Sequence, residues 1–564
     1  MEMKTERATP WLDRAGAIAG VIVPLLMTAG GILPQVTAKS LLLQFSFLPL
    51  PLWLIAVHLG QRHRTGRLGS VSFWLALSGA VAFAAYLVLV FNIGRLTTGT
   101  PRQPAYFAYW WEVILKAAPP LFISTMLIFS LITMKAGVFP PAAAALWMTG
   151  LSQCAVLVSP GPLLALAGMV WGGYTLWSGS HRRAALPLTG AATSLTTEPR
   201  LPPLDALRGL IMILMAVDHM RLAVMPHPAE IWDAAMEPVQ SAPLFLTRLV
   251  THFCAPGFFF LMGTGAVLFA ESRLRSGWSR PKIAGHLMLR GLVLIAVEQF
   301  LVYPFQSGGG PNPFLYTVLF GLGASLMLCG LLVGLGRLPL LVVALATIVL
   351  SQFWPSIFTQ LGLLDNPAVR IIFVPGSAGR FFSLYSVFSW AGVAFLGMAF
   401  GRHLAREGDR AFRHALFAGL AFLPLFVLVR ALGGFGNFQP PAGPGVLDFL
   451  NMVKYPPSLA FLLLTLGIDL VMLYLFSRAG GLRERWGRPL LVFGSTALFF
   501  YVAHFTLYFS FRSLFFVGGR LMENVPLWAM YAGWAAGLPL LYLACRLFRD
   551  FKSSTAPSSA WRLF

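Results

Sequence analysis

Apolar stretches of about twenty residues recur along almost the whole chain, separated by short polar or basic connections. That is the length an α-helix needs to cross the hydrocarbon layer of a bilayer. Only helices and closed barrels satisfy every backbone polar group inside lipid, and these stretches are continuously apolar rather than alternating, so helices are expected. The pattern predicts spans at 14–35, 41–59, 70–93, 112–135, 138–157 and 161–178. A polar, Pro/Ser/Thr-containing segment, SGSHRRAALPLTGAATSLTTEPRLPP (177–203), interrupts the pattern and reads as a linker. Beyond it, spans are expected at 204–226, 249–271, 284–304, 313–335, 339–354, 381–401, 413–431, 456–477, 489–511 and 526–546. The expected fold class is all-α: a polytopic transmembrane helical bundle of about sixteen spans, six N-terminal and ten in a second unit. The domains are then an N-terminal membrane domain (1–180), a linker (181–203), a membrane core (204–546) and a tail (547–564).

Composition agrees. Of 564 residues, 57% are hydrophobic and 11% charged, where a soluble domain carries about 25% charged residues. The net charge of +21 sits in short connections between apolar runs, so membrane topology and anionic headgroups account for it and nucleic acid is excluded as a partner. With the N-terminus in the cytoplasm, the dense basic connections QRHRTGR (61–67), HRR (181–183), ESRLRSGWSRPK (271–282), GRHLAREGDRAFRH (401–414), SRAGGLRERWGR (477–488) and the tail RLFRDFK (546–552) all fall inside. The expected location is a cytoplasmic (inner) membrane, multi-pass, with both termini cytoplasmic and lipids as partners. Cys154, Cys254, Cys329 and Cys545 lie in or beside apolar runs without metal-ligand spacing, and no metal is expected.

The segment with most chemistry opens the second unit. In LDALRGLIMILMAVDH (204–219), Asp205 and Arg208 are spaced i,i+3 for pairing at the helix start. Arg208, Met212, Met215 and His219 form one helical stripe, which puts His219 about 16 Å deeper than Arg208. Asp218 and His219 are ionisable groups inside an apolar run, which points to a cavity or pathway; the plainer reading is a polar pair that glues helices. As helix neighbours they diverge by about 100°, so Asp218 is better placed to pair with Arg221 or with another helix than to orient His219. His252 opens the next span at the same membrane level, beside Pro256, with Gly263 and Gly265 suited to close helix approach. His227 lies just past the first helix, His504 in the outer half of a later span, and Glu298 in mid-membrane. The basic group Arg273, Arg275, Arg280, Lys282 and Arg290 serves topology, and is also the residue type that clamps phosphate. There is no Walker loop, Rossmann glycine motif or HExxH, so ATP hydrolysis, nicotinamide chemistry and zinc proteolysis have no support.

Four motifs, LDALRGLIMILMAVDH (204–219), THFCAPGFFFLMGTG (251–265), FLNMVKYPPS (449–458) and PLLVFGSTALFFYVAHFTLY (489–508), together resemble bacterial membrane proteins carrying a heparan-alpha-glucosaminide N-acetyltransferase-like catalytic domain, within the wider transmembrane acyltransferase superfamily. The resemblance covers about residues 201–546 and none of the first 200. It implies transfer of an acyl group, acetyl by analogy, from cytoplasmic acetyl-CoA to a glycan or lipid-linked acceptor at the outer face. His219 is then the catalytic histidine, with Asp218 and His252 tuning protonation or binding the acceptor. Arg208, Arg273, Arg275 and Arg290 are placed to hold the CoA phosphates, and Lys454, Tyr455, His227 and His504 to bind the acceptor. The lysosomal enzymes of this kind place their key histidine after the opening helix, about where His227 lies, which keeps His227 as a second catalytic candidate. The competing reading is a proton-coupled transporter or flippase using Asp218, His219 and Glu298; the absence of an internal repeat weighs against it. The sequence leaves the acceptor, and any assembly into a homo-oligomer, open.

Overall fold

A computed structural model describes residues 10–32, 46–96 except 48, 105–155, 161–178, 201–225, 231–233 and most of 239–561; outside it fall 240, 304–305, 307–313, 483, 485–486, 518–519, 523–524, 556–558 and 560. The linker at 181–200 and His227 lie outside the described residues.

The N-terminal helices are α1 (Pro10–Ile32), α2 (Leu50–Leu96), α3 (Ala105–Ala136), α4 (Pro141–Ala155) and α5 (Gly161–Trp177). The basic connection 61–67, expected as a loop between two spans, is instead helical on both sides of one break at Gly66 (φ 55°, ψ −146°). Glycine has no Cβ to forbid that conformation, so the chain turns there without unwinding. α1 packs on α2 and α5, and α3 on α2 and α4. Their core is apolar and aromatic: Phe83 stacks on Phe122 at 4.8 Å, and Trp53 meets Trp147 edge-on at 4.4 Å.

The second unit begins with α6 (Pro202–Val224). It continues through α7 (Ala242–His252), α8 (Cys254–Arg275), α9 (Arg280–Val297, extended by a π turn Glu298–Val302), β1 (Phe314–Tyr316) and α10 (Val318–Leu332). Next come α11 (Arg337–Ser351), α12 (Trp354–Gln360), α13 (Pro367–Ile372), β2 (Gly376–Ala378), β3 (Phe381–Ser383), α14 (Val387–Glu407) and α15 (Arg410–Leu432). The chain closes with α16 (Val446–Leu450), α17 (Leu459–Arg478), α18 (Arg488–Ser495), α19 (Ala497–Phe511), the hairpin β4–β5 (Phe516–Val517, Arg520–Leu521) and α20 (Leu527–Ser554).

Within the described residues each expected span overlaps helix, those at 41–59 and 70–93 sharing α2, and the chain is a polytopic helical membrane protein. The count of about sixteen is not reached by length and composition: among the described residues eight helices qualify, or nine when α11 and α12, bent by 48°, are taken as one span. Four boundaries differ from expectation. The span expected at 249–271 is broken at Phe253, between α7 and α8, and that at 489–511 at Thr496, between α18 and α19. That expected at 381–401 starts later, because Phe381–Ser383 pairs in parallel with β1 and antiparallel with β2. The tail expected from 547 remains helical to Ser554, where Asp550 pairs with Lys135 at 3.4 Å.

Backbones approach closely at two places. A Cβ added at Gly263 on α8 would overlap the carbonyl of Ala394 on α14, and one at Gly397 would overlap that of Phe260. Gly209 on α6 and Gly494 on α18 form a second reciprocal contact, against the carbonyls of Leu490 and Asp205. Small residues give helices in lipid this contact area. Gly265, expected to serve the same purpose, faces open space. An ion pair of Arg402 with Glu271 ties α14 to α8. The N-terminal helices join the second unit through α3, which packs on α19 and α20, and through Gln153, which donates to Phe300 O at 3.2 Å.

Candidate functional site

Both ends of α6 carry polar constellations. At its start Pro202 and Pro203 suit the first helical turn, where no N–H donor is needed. Arg208 donates to Asp205 Oδ1 at 2.8 Å, as the i,i+3 spacing predicts, and to Gly494 O at 3.2 Å. Its guanidinium is therefore fixed by its own helix and by the end of α18.

The Arg208 charge acts on Arg290 of α9, and Arg290 and Arg273 both act on His286. The Arg273 guanidinium lies 5.2 Å from the ring centroids of Phe269 and Trp278, and the Lys282 ammonium lies 4.4 Å from that of Trp278. His286 stacks on Phe269 at 4.9 Å. Arg273 Nε is buried without a hydrogen-bond partner among the described residues. Charge thus links Arg208 to Arg290 and, at His286, Arg290 to Arg273, with the Trp278 ring 5.8 Å from that of His286. Arg275 is exposed at the end of α8 and joins none of these contacts.

Three turns further along α6 the polar groups divide between two neighbours. His219 turns to α19: its Nδ1 lies 2.5 Å from His504 Nε2, with the rings stacked at 4.8 Å. Phe505 lies 4.4 Å from the His219 ring, and Tyr501 meets it edge-on at 5.8 Å. His504 is fully buried, and its Nδ1 is 2.9 Å from Phe500 O, one turn back on the same helix.

Asp218 faces the other way, as the 100° step requires. Its charge reaches Arg221, Arg248, His252 and Tyr455. His252, the last residue of α7, is buried with its ring 5.6 Å from Phe461. Lys454 acts on His252 and lies 5.2 Å from the Tyr455 ring.

Tyr455 donates to the Tyr385 hydroxyl at 3.3 Å. Burial pushes both of these loop phenols above the ordinary tyrosine value, so both stay protonated. The loop that carries Lys454 and Tyr455 is anchored by Arg430, which donates to Phe449 O (2.9 Å), Asn437 Oδ1 (3.1 Å), Gln439 O (2.8 Å) and Asn451 O (2.7 Å). Tyr455 also bridges to Ile231, and its carbonyl accepts from Trp232 N at 2.9 Å.

Glu298 has a local role. Its carboxylate accepts from Thr317 N (2.7 Å), Thr317 Oγ1 and Phe320 N (2.5 Å), which caps the start of α10 from outside. This favours helix glue over a proton-carrying group.

Arg248, Tyr385, Tyr501 and Asp469 were not singled out in the sequence. Asp469 had a signal, since it lies in the otherwise apolar run LAFLLLTLGIDLVMLYLF; it is buried against Gly257, and neither carboxylate oxygen has a hydrogen-bond partner among the described residues. No group of three His, Cys, Asp or Glu side chains suited to a metal occurs among the described residues. Cys254, Cys329 and Cys545 are free and buried.

Residues 200–431 match the family model of the heparan-alpha-glucosaminide N-acetyltransferase catalytic domain. This stretch, from α6 to the end of α15, is similar to the catalytic domain of that family and is set in a membrane protein. The matched residues include Arg208, Asp218, His219, His252, Arg273 and Arg290, while Lys454, Tyr455 and His504 lie beyond them. No curated protein matches the chain.

Proposed function

We propose that this protein moves a short acyl group, acetyl by family likeness, from acyl-CoA at the Arg208 end of α6 to an acceptor bound at the His219 end, with His219 as general base. The observation that carries the reading is the layout of α6 itself. One end meets an arginine cluster, and the other end, about 16 Å away, meets a histidine pair at 2.5 Å.

The arginine cluster fits a phosphate-bearing molecule. Arg208, Arg273 and Arg290 gather with Asp205 as the carboxylate paired to Arg208, and a buried Arg273 N–H is left to donate. Arginine recognises phosphate by paired, charge-assisted hydrogen bonds. Bound acyl-CoA supplies an activated acyl thioester. His219 then removes the proton of the acceptor hydroxyl or amine, as a positioned imidazole does. Asp218, His252, Lys454 and Tyr455 line the acceptor side, where protonated Tyr385 and Tyr455 and the Lys454 ammonium supply hydrogen-bond donors. The acceptor class by family likeness is a glycan or a lipid-linked glycan. The basic end of α6 faces the cytoplasm, in a cytoplasmic membrane with both termini inside, and the N-terminal helices (1–180) buttress α19 through α3.

The test is acyl-CoA turnover by the purified full chain in lipid nanodiscs, with acyl-CoA binding measured in parallel. The expected result is binding and turnover in the wild type, and loss of turnover with binding retained in H219A. Turnover unchanged by H219A overturns the assignment of the base. Absence of acyl-CoA binding overturns the enzyme reading and favours transport.

A further inference from the structure

The contacts of His504 fix where the protons of the histidine pair lie. A backbone carbonyl only accepts, so the 2.9 Å contact with Phe500 O requires a proton on His504 Nδ1. His504 is fully buried, with Phe500, Phe505 and Tyr508 around its ring at 5.4, 4.7 and 6.2 Å. Among the described residues no carboxylate is among the groups acting on it, and a buried imidazolium without a counter-ion is costly, so the ring is neutral. Its Nε2 therefore holds a lone pair. That lone pair faces His219 Nδ1 at 2.5 Å, so the proton between the rings belongs to His219.

We infer that His504 is a positioning residue, which holds His219 in the tautomer with its proton on Nδ1 and its lone pair on Nε2, the nitrogen that takes the acceptor's proton. The inference rests on the reading of His219 as general base. In the step it serves, the acceptor O–H or N–H proton passes to His219 Nε2 as the acceptor atom bonds to the acyl carbon. The carbon–sulfur bond then breaks and the thiolate recovers the proton from Nε2, so protons balance. While His219 is cationic, its Nδ1–H bond to His504 is charge-assisted and stronger. His504 keeps its own proton on Phe500 O throughout. This is the part a carboxylate plays behind the histidine of hydrolase triads, with a neutral acceptor in its place.

The experiment is solid-state NMR of the ¹⁵N-histidine-labelled full chain in lipid bilayers, with H219Q as the difference spectrum that assigns His219. The wild type and H504Q, whose amide oxygen still accepts, are expected to show His219 protonated on Nδ1. H504A is expected to show the Nε2-protonated form gaining population. In turnover, H504A lowers kcat by about 10²–10³-fold with KM nearly unchanged, and H504Q recovers at least about tenfold of that loss. An Nε2-protonated His219 in the wild type overturns the proposal. So does an H504Q protein that melts like the wild type and is as slow as H504A. The NMR result needs no turnover, so a wild type with the expected tautomer and no acyl-CoA turnover would sink the enzyme reading alone.

Discussion

The N-terminal helices and the second unit bury different chemistry. Among α1–α5 the described buried polar groups are mostly neutral and matched at short range: Gln61 donates to Thr133 Oγ1 at 2.8 Å and Trp147 Nε1 to Ser130 Oγ at 3.0 Å. His58 is the one ionisable side chain buried there among the described residues, stacked flat on Phe73 at 4.4 Å. The second unit buries Arg221, His252, Glu298, Arg370, Arg430, Lys454, Asp469 and His504. Some of these are structural: Arg430 and Glu298 spend their hydrogen bonds on loop and helix ends. Arg370 likewise donates to the loop carbonyls of Leu364 (2.7 Å) and Pro375 (2.8 Å); the others gather near Asp218 and His219 or, like Asp469, face a close helix contact. Burying ionisable groups in a membrane costs free energy that a scaffold has no reason to bear. On the proposed function, the contrast separates a part that supports from a part that reacts.

That contrast breaks most plainly at two histidines, half-buried His219 and buried His58. H219A is expected to lower acyl-CoA turnover by about 10³-fold, whereas H58A leaves turnover within about twofold and costs only about 1 kcal/mol of ring stacking. Parallel turnover and thermal-melting curves check both. Equal losses from the two substitutions would erase the division. Next in size is packing inside the second unit: Gly397→Val drives a side chain into the Phe260 carbonyl and is expected to cost about 3 kcal/mol. Gly265→Ala, in open space, should change the melting temperature little. Smaller again, R273A is expected to raise the KM for acyl-CoA about tenfold, the worth of one charge-assisted hydrogen bond, and exposed Arg275→Ala to leave it unchanged. Equal effects would move the phosphate contact out to the surface. The smallest effect joins the two regions: Lys135 and Asp550 are 49% and 35% exposed, so D550N should cost under about 1 kcal/mol and vanish in high salt, as denaturant curves at two ionic strengths would show.

Much of this arrangement is written locally. Apolar runs become helices because a backbone in lipid has no other way to satisfy its donors and acceptors. Asp205 pairs with Arg208 because i,i+3 neighbours share a face, and Asp218 turns away from His219 because adjacent residues do not. Locally misread were the connection at 61–67 and the helix start near 381. One glycine absorbs the turn in the first, and in the second the strand Phe381–Ser383 finds its partner at Phe314–Tyr316, far back in the chain.

What the sequence by itself determined, then, is the membrane class, the helix positions and the two polar ends of α6, since hydropathy and helical periodicity act over a few residues. Only the tertiary structure decided which partners those ends meet. His219 and His504 are 285 residues apart, and nothing short-range says that their rings stack or that the Phe500 carbonyl lies against His504 Nδ1. Likewise, Glu298 caps α10, Arg275 joins none of the contacts around Arg273, and Arg248 and Tyr385 join the Asp218 side. In each case the deciding contact lies between helices, and helix packing, unlike helix formation, depends on the whole chain.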